Sequence, residues 1–94
     1  ICSKYVLCFN ARSLCNKLHE FQDLLAGVSG NHNDIICVTE TWFTDSTLDQ
    51  VVISSNPYKL FRCDRVEKAG GGCAIFVNNR LNAKQIIMPS NIIL

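Results

Sequence analysis

The chain has 94 residues, 48% of them hydrophobic and 18% charged, and nine basic against eight acidic side chains leave a formal charge of +1. This composition excludes a disordered tail, and the near-neutral charge excludes a global field drawing the chain onto nucleic acid. No apolar run reaches the ~18 residues of a membrane-spanning helix, and polar Asn10, Arg12 and Ser13 follow too short an apolar start for a signal peptide.

Tyr5-Val-Leu-Cys-Phe9 is an apolar run of strand length, closed by Asn10. Leu14, Leu18, Phe21, Leu25 and Val28 then recur at helical spacing, one apolar stripe of an α-helix. Asn16 is the expected N-cap, Glu20 complements the dipole near the first turn, and Gly27 or Gly30 ends the helix. Asp34-Ile-Ile-Cys-Val-Thr-Glu-Thr41 predicts a second strand, and its unbroken apolar stretch suggests cover on both faces. Strand, helix and strand make one βαβ unit. A short helical turn is expected from Leu48 to Val52, and a turn at Asn56-Pro57. Tyr58-Lys-Leu-Phe-Arg62 and Cys73-Ala-Ile-Phe-Val77 predict an antiparallel pair, joined by a charged loop ending in Gly70-Gly71-Gly72. A last strand is expected over residues 83–87. The chain opens at Ile1 without a methionine and stops within Asn91-Ile-Ile-Leu94. We therefore expect one partial domain, 1–94, cut at both ends.

Six cysteines invite a disulfide or zinc reading, but no C-x-x-C pair occurs, and neither His19 nor His32 completes a zinc-ligand pattern. Cys8, Cys37 and Cys73 lie inside strand-like runs, which predicts buried reduced thiols and an intracellular protein.

The topology says where chemistry belongs. The two strands of a βαβ unit are parallel, so Asn10 and Glu40 close them at the same carboxyl edge, with neighbouring backbones ~4.8 Å apart. Ligands of open α/β sheets bind at that edge. An amide oxygen and a carboxylate there suit one hard cation, Mg²⁺ above all.

Four motifs in this order, Asn10-Ala-Arg-Ser-Leu14 with Asn16-Lys17, Asp34 through Trp42, Tyr58 with Arg62-Cys-Asp-Arg65, and Gly70 through Val77, resemble the endonuclease/exonuclease/phosphatase superfamily in its retrotransposon (LINE-like, non-LTR) branch. The resemblance runs from about Val6 to Val77. It implies the amino-terminal part of a four-layer α/β sandwich, a βαβ unit followed by mainly antiparallel strands. It implies a DNA-nicking, phosphodiester-cleaving enzyme with Glu40 as the metal-binding carboxylate and Asn10 helping to fix metal and scissile phosphate, using Mg²⁺ or Mn²⁺. In that family the metal neutralises charge on the phosphate and a histidine–aspartate pair activates water. The downstream Asp-x-Asn and Asp-His segments have no counterpart here, and His19 and His32 match no family position, so the fragment is expected to be inactive alone. The resemblance further implies DNA as partner, a nuclear location and a following reverse transcriptase domain.

Several side chains carry two readings. Arg12 contacts phosphate or points to water; Trp42 stacks on DNA or caps the core; Arg62 and Arg65 contact phosphate or form an ion-pair cluster around Asp64. The triple glycine lacks the G-x-x-x-x-G-K-[ST] pattern and predicts a turn admitting close backbone approach. The alternatives are a non-catalytic remnant of a degenerate element and a DNA-repair or phosphatase member of the same superfamily. A dinucleotide-binding domain fails because Asn10-Ala-Arg-Ser-Leu-Cys15 has no glycine.

Overall fold

A computed structural model describes residues 5–27, 33–65 and 70–86. Four strands form one mixed sheet: β1 (Val6–Asn10), β2 (Ile35–Thr39), β3 (Tyr58–Cys63) and β4 (Cys73–Asn78), in the order β1-β2-β4-β3. β1 and β2 are parallel, with Asn10 paired to Thr39, while β4 is antiparallel to both β2 and β3. The connection from β1 to β2 holds a 3₁₀ turn (Leu14–Lys17) and the helix α1 (Leu18–Ala26); α2 (Asp49–Ile53) lies between β2 and β3.

The apolar stripe packs as its spacing requires. Leu14, Phe21 and Leu25 are buried against Ile36, Val38 and Phe76 of the central strands. The Phe21 and Phe76 rings meet 4.7 Å apart at 57°, a favourable tilted geometry. Gly27 ends α1 in the left-handed conformation, donating its N–H to the carbonyls of Asp23 and Leu24. Asn16 is not the N-cap: the chain enters through the 3₁₀ turn behind Ser13, and Asn16 lies inside that turn. Residues 83–86 form no strand, and Val28, Gly30 and Ile87 lie outside the described residues.

The sheet has one closed face and one open one. Ile36 and Val38 point to the helices, while Ile35 and Cys37 between them stay partly exposed, so β2 alternates and is not covered on both sides. Val6 (57%) and Ile75 (44%) are exposed on the open face, together with Cys8, Cys63 and Cys73. The thiols expected to be buried in β1 and β4 are therefore exposed, because they occupy the strand positions facing away from the helices. Burial, and then the neighbouring Cys8 thiol, push the Cys37 pKa up. A groove of about 330 Å³ on this face is lined by Phe61, Cys63, Ile75 and Val77, and neither Asn10 nor Glu40 borders it.

At the amino end of the parallel pair, the buried Asp34 carboxylate accepts the Tyr5 N–H at 2.7 Å and pairs with Arg80. This carboxylate ties the entries of β1 and β2 to the exit of β4.

Candidate active site at the carboxyl edge

The parallel register brings the ends of β1 and β2 side by side, and three hydrogen bonds extend it past the strands. Ala11 N–H donates to Thr39, Ser13 N–H to Glu40 and Leu14 N–H to Thr41, at 2.9, 2.8 and 3.0 Å. Lys17 Nζ donates to the Ala11 carbonyl across the same loop. On the other side, Thr41 N–H reaches the Gly72 carbonyl and Trp42 N–H that of Gly71. Three segments distant in sequence are thus laced into one rim.

At its centre Asn10 Nδ2 donates to Glu40 Oε2 at 2.5 Å. The Asn10 Oδ1 is turned the other way and accepts the Arg12 N–H at 3.1 Å. Asn10 therefore orients the carboxylate through its nitrogen and braces the following loop through its oxygen. Among the described residues, no hydrogen bond uses Glu40 Oε1.

Four non-glycine residues of the rim, Arg12, Ser13, Glu40 and Trp42, have φ between 48° and 81°. Each such residue carries a conformational penalty of ~1–3 kcal/mol, and clusters of them belong to functional sites. The left-handed turn at Glu40 breaks the strand alternation. No sequence pattern announces it, because Glu is not a residue that favours positive φ.

The donor set suits a hard cation. Mg²⁺ is commonly held by one or two carboxylates with phosphate oxygens and water completing its shell. A half-exposed Glu40 carboxylate with one oxygen unengaged fits that pattern; among the described residues no group of three or more His, Cys, Asp or Glu forms a closed protein cage.

The remaining candidates separate. Arg12 is exposed beside Asn10. Trp42 does not cap the core: it is 43% exposed, and the next residue, Phe43, takes the buried place at 2%. Arg62 is withdrawn from the surface. Its Nε and Nη2 hold Asp64 at 3.1 and 2.6 Å, Nη1 holds Asp49 and the Thr47 carbonyl, Nη2 also reaches the Thr44 carbonyl, and the guanidinium lies 4.8 Å from the Phe43 ring centre. All five guanidinium N–H donors are engaged within the chain, so of the two readings for Arg62 the ion-pair cluster around Asp64 holds and the phosphate contact does not. The hydrogen bonds to Asp64 push its pKa above the usual guanidinium value, against the effect of burial and with Asp49 adding to the rise. A signal for this was present: Tyr58, Leu60 and Arg62 alternate on one face of β3. Arg65 does not join the cluster: it is exposed, and among the described residues no acid pairs with it. His19 sits on the exposed side of α1, and His32 lies outside the described residues.

No family model matches the chain, and no curated protein matches it. A solved structure does. An AP endonuclease from Archaeoglobus fulgidus superposes with a TM-score of 0.62 over 80% of this chain, at 20% identity. The likeness is one of fold: a mixed α/β arrangement compatible with the amino-terminal part of an AP-endonuclease-like sandwich. The chain spans 27% of the length of that neighbour.

Proposed function

We propose that this chain carries the metal-holding part of a Mg²⁺-dependent, DNA-nicking phosphodiesterase site, in the retrotransposon branch of the endonuclease/exonuclease/phosphatase superfamily. The observation that carries the reading is the Asn10–Glu40 hydrogen bond at the carboxyl rim, with Glu40 held in a left-handed conformation. The fold shared with an AP endonuclease supports a nuclease at superfamily level, and the Arg12-Ser-Leu14 and Glu40-Thr-Trp42 wording supports the branch.

Glu40 would hold the cation through its carboxylate, Asn10 orients that carboxylate, and Arg12, exposed on the same loop, would meet the phosphate. A bound Mg²⁺ supplies neutralisation of charge on the phosphate. The test is nicking of supercoiled plasmid by the protein of the full reading frame, with and without Mg²⁺. Glu40→Ala is expected to abolish nicking, and Asn10→Ala to lower it ~10–100-fold, the usual loss when a ligand's orienting partner is removed. Undiminished nicking by Glu40→Ala overturns the assignment.

A second reading, a catalytically silent remnant, draws on the absence of a histidine–aspartate pair at the rim among the described residues. A reading frame that continues into Asp-x-Asn and Asp-His segments argues against it.

A further inference from the structure

The triple glycine is accounted for by what rests on it. Gly70, Gly71 and Gly72 all have positive φ, between 68° and 83°. A Cβ on Gly70 would lie 3.3 Å from the Trp42 indole nitrogen, and one on Gly71 would lie 2.6 Å from Arg65 Nε. Consecutive glycines of one loop therefore seat an indole and a guanidinium, one on each residue. The Trp42 backbone N–H donates to the Gly71 carbonyl at 2.9 Å, so the backbone that carries the indole is fixed to the glycine loop. The seat is two residues from Glu40.

Among the described residues, neither side chain is engaged by a side-chain hydrogen bond or ion pair. Trp42 keeps 43% of its surface in solvent, and no hydrogen bond among the described residues uses its indole N–H. Arg65 is exposed without an acidic partner among the described residues, whereas Arg62, three positions earlier, has every donor engaged. An exposed large aromatic beside an unpaired cation is the combination with which proteins grip single nucleic-acid strands: the base stacks, the phosphate is neutralised. A stacked duplex offers no free base face, so the partner is a strand with an unstacked nucleotide. The polar neighbours Thr44, Asp45 and Ser46 provide no apolar surround of the kind a protein hot spot needs.

We propose that Trp42 and Arg65 form a platform beside the Asn10–Glu40 rim that stacks one unpaired DNA base on the indole and holds an adjacent phosphate on the guanidinium. The choice of DNA rests on the nuclease reading; the platform itself rests on the geometry of residues 42, 65 and 70–72. The platform makes nucleotides that unstack readily, at mismatches or strand junctions, the favoured sites of engagement.

The full protein is titrated in EDTA, so that no cleavage occurs, with a short oligothymidylate, fluorescein-labelled for anisotropy and unlabelled for emission, the Trp42 emission being the difference between the unaltered protein and Trp42→Phe. Stacking quenches that emission. Trp42→Ala is expected to weaken binding about tenfold while Trp42→Phe keeps most of it. Arg65→Gln is expected to flatten the slope of log affinity against log salt by ~0.7, the value for one phosphate on a single strand. His19→Ala, on the far side of α1, is the control. Thermal melts identify any variant that fails to fold; Trp42→Phe and quenching of the unaltered protein then carry the test. Unquenched emission on binding, no binding at all, or folded Trp42→Ala and Arg65→Gln proteins with unchanged affinity and slope, each overturns the platform. Tighter binding of an intact duplex than of the single strand also overturns it. A protein that nicks plasmid with Mg²⁺ but shows no quenching loses the platform and keeps the nuclease reading. One that quenches but never nicks keeps the platform and loses the nuclease.

Discussion

Thr41 occupies the tightest place on the rim. It is fully buried, and among the described residues its Oγ1 has no hydrogen-bond partner, while a Cβ on Gly72 would stand only 2.9 Å from it. An unsatisfied buried hydroxyl destabilises a fold by ~1–3 kcal/mol, and its removal in a side chain of the same shape recovers part of that. Thr41→Val is accordingly expected to leave the melting temperature unchanged or higher; a loss of several degrees would reveal a partner for the hydroxyl. Gly72→Ala acts the other way. It combines a φ of +83° with a close approach to Thr41 and to the Cys63 carbonyl, and an expected loss of at least ~1–2 kcal/mol is measurable by chemical denaturation. Both effects depend on one contact between loops thirty residues apart in sequence, and neither residue type announces it.

Among the elements, the segment between β2 and β3 is braced at several points by a single side chain. Arg62 of β3 reaches two carbonyls of this segment, at Thr44 and Thr47, and Asp49 at the start of α2. Its side chain is only 16% exposed, so its loss leaves the Asp64 carboxylate and the Thr47 carbonyl without their donor, while Asp49, 52% exposed, turns to water. Arg62→Ala is expected to destabilise the protein by about 2–3 kcal/mol, and Arg62→Lys to recover little, because an ammonium cannot span the fork. The apolar runs located β1 to β4 within a residue or two and the helical stripe located α1, because both kinds of burial leave a period in the sequence. Asn10 and Glu40 were legible for the same reason, since topology alone sends two consecutive parallel strand ends to one edge. The left-handed turn at Glu40, the exchange of roles between Trp42 and Phe43 and the division between Arg62 and Arg65 were not, since each depends on a tertiary contact with another loop. The thiols were misplaced because an apolar strand run does not say which of its faces a neighbouring layer will cover.

The described residues form a sheet with helices on one side. On the other side, beside a groove bordered by Ala83, Lys84 and Gln85, Val6, Ile75 and the half-buried Phe61 and Cys37 leave an apolar surface, and among the described residues β1 and β3 are both edge strands. A surface of this kind drives association. Sedimentation of the 94-residue chain is expected to show self-association, and Ile75→Lys, at an exposed central position, to raise the monomer fraction. A sharp cooperative melt of a purely monomeric chain would contradict this.

Among the described residues β1 is bonded to the sheet through β2 alone, yet it carries Asn10. Detaching one border strand requires far less free energy than melting β4, which is bonded on both flanks. Amide hydrogens of residues 6–10 should therefore exchange with heavy water well before those of 74–77, and each such fraying event releases the Glu40 carboxylate from its amide tether while the rest of the sheet stays intact. Anything that clamps that border, including a molecule bound at its tip, would slow the exchange and lengthen the time the pair spends assembled.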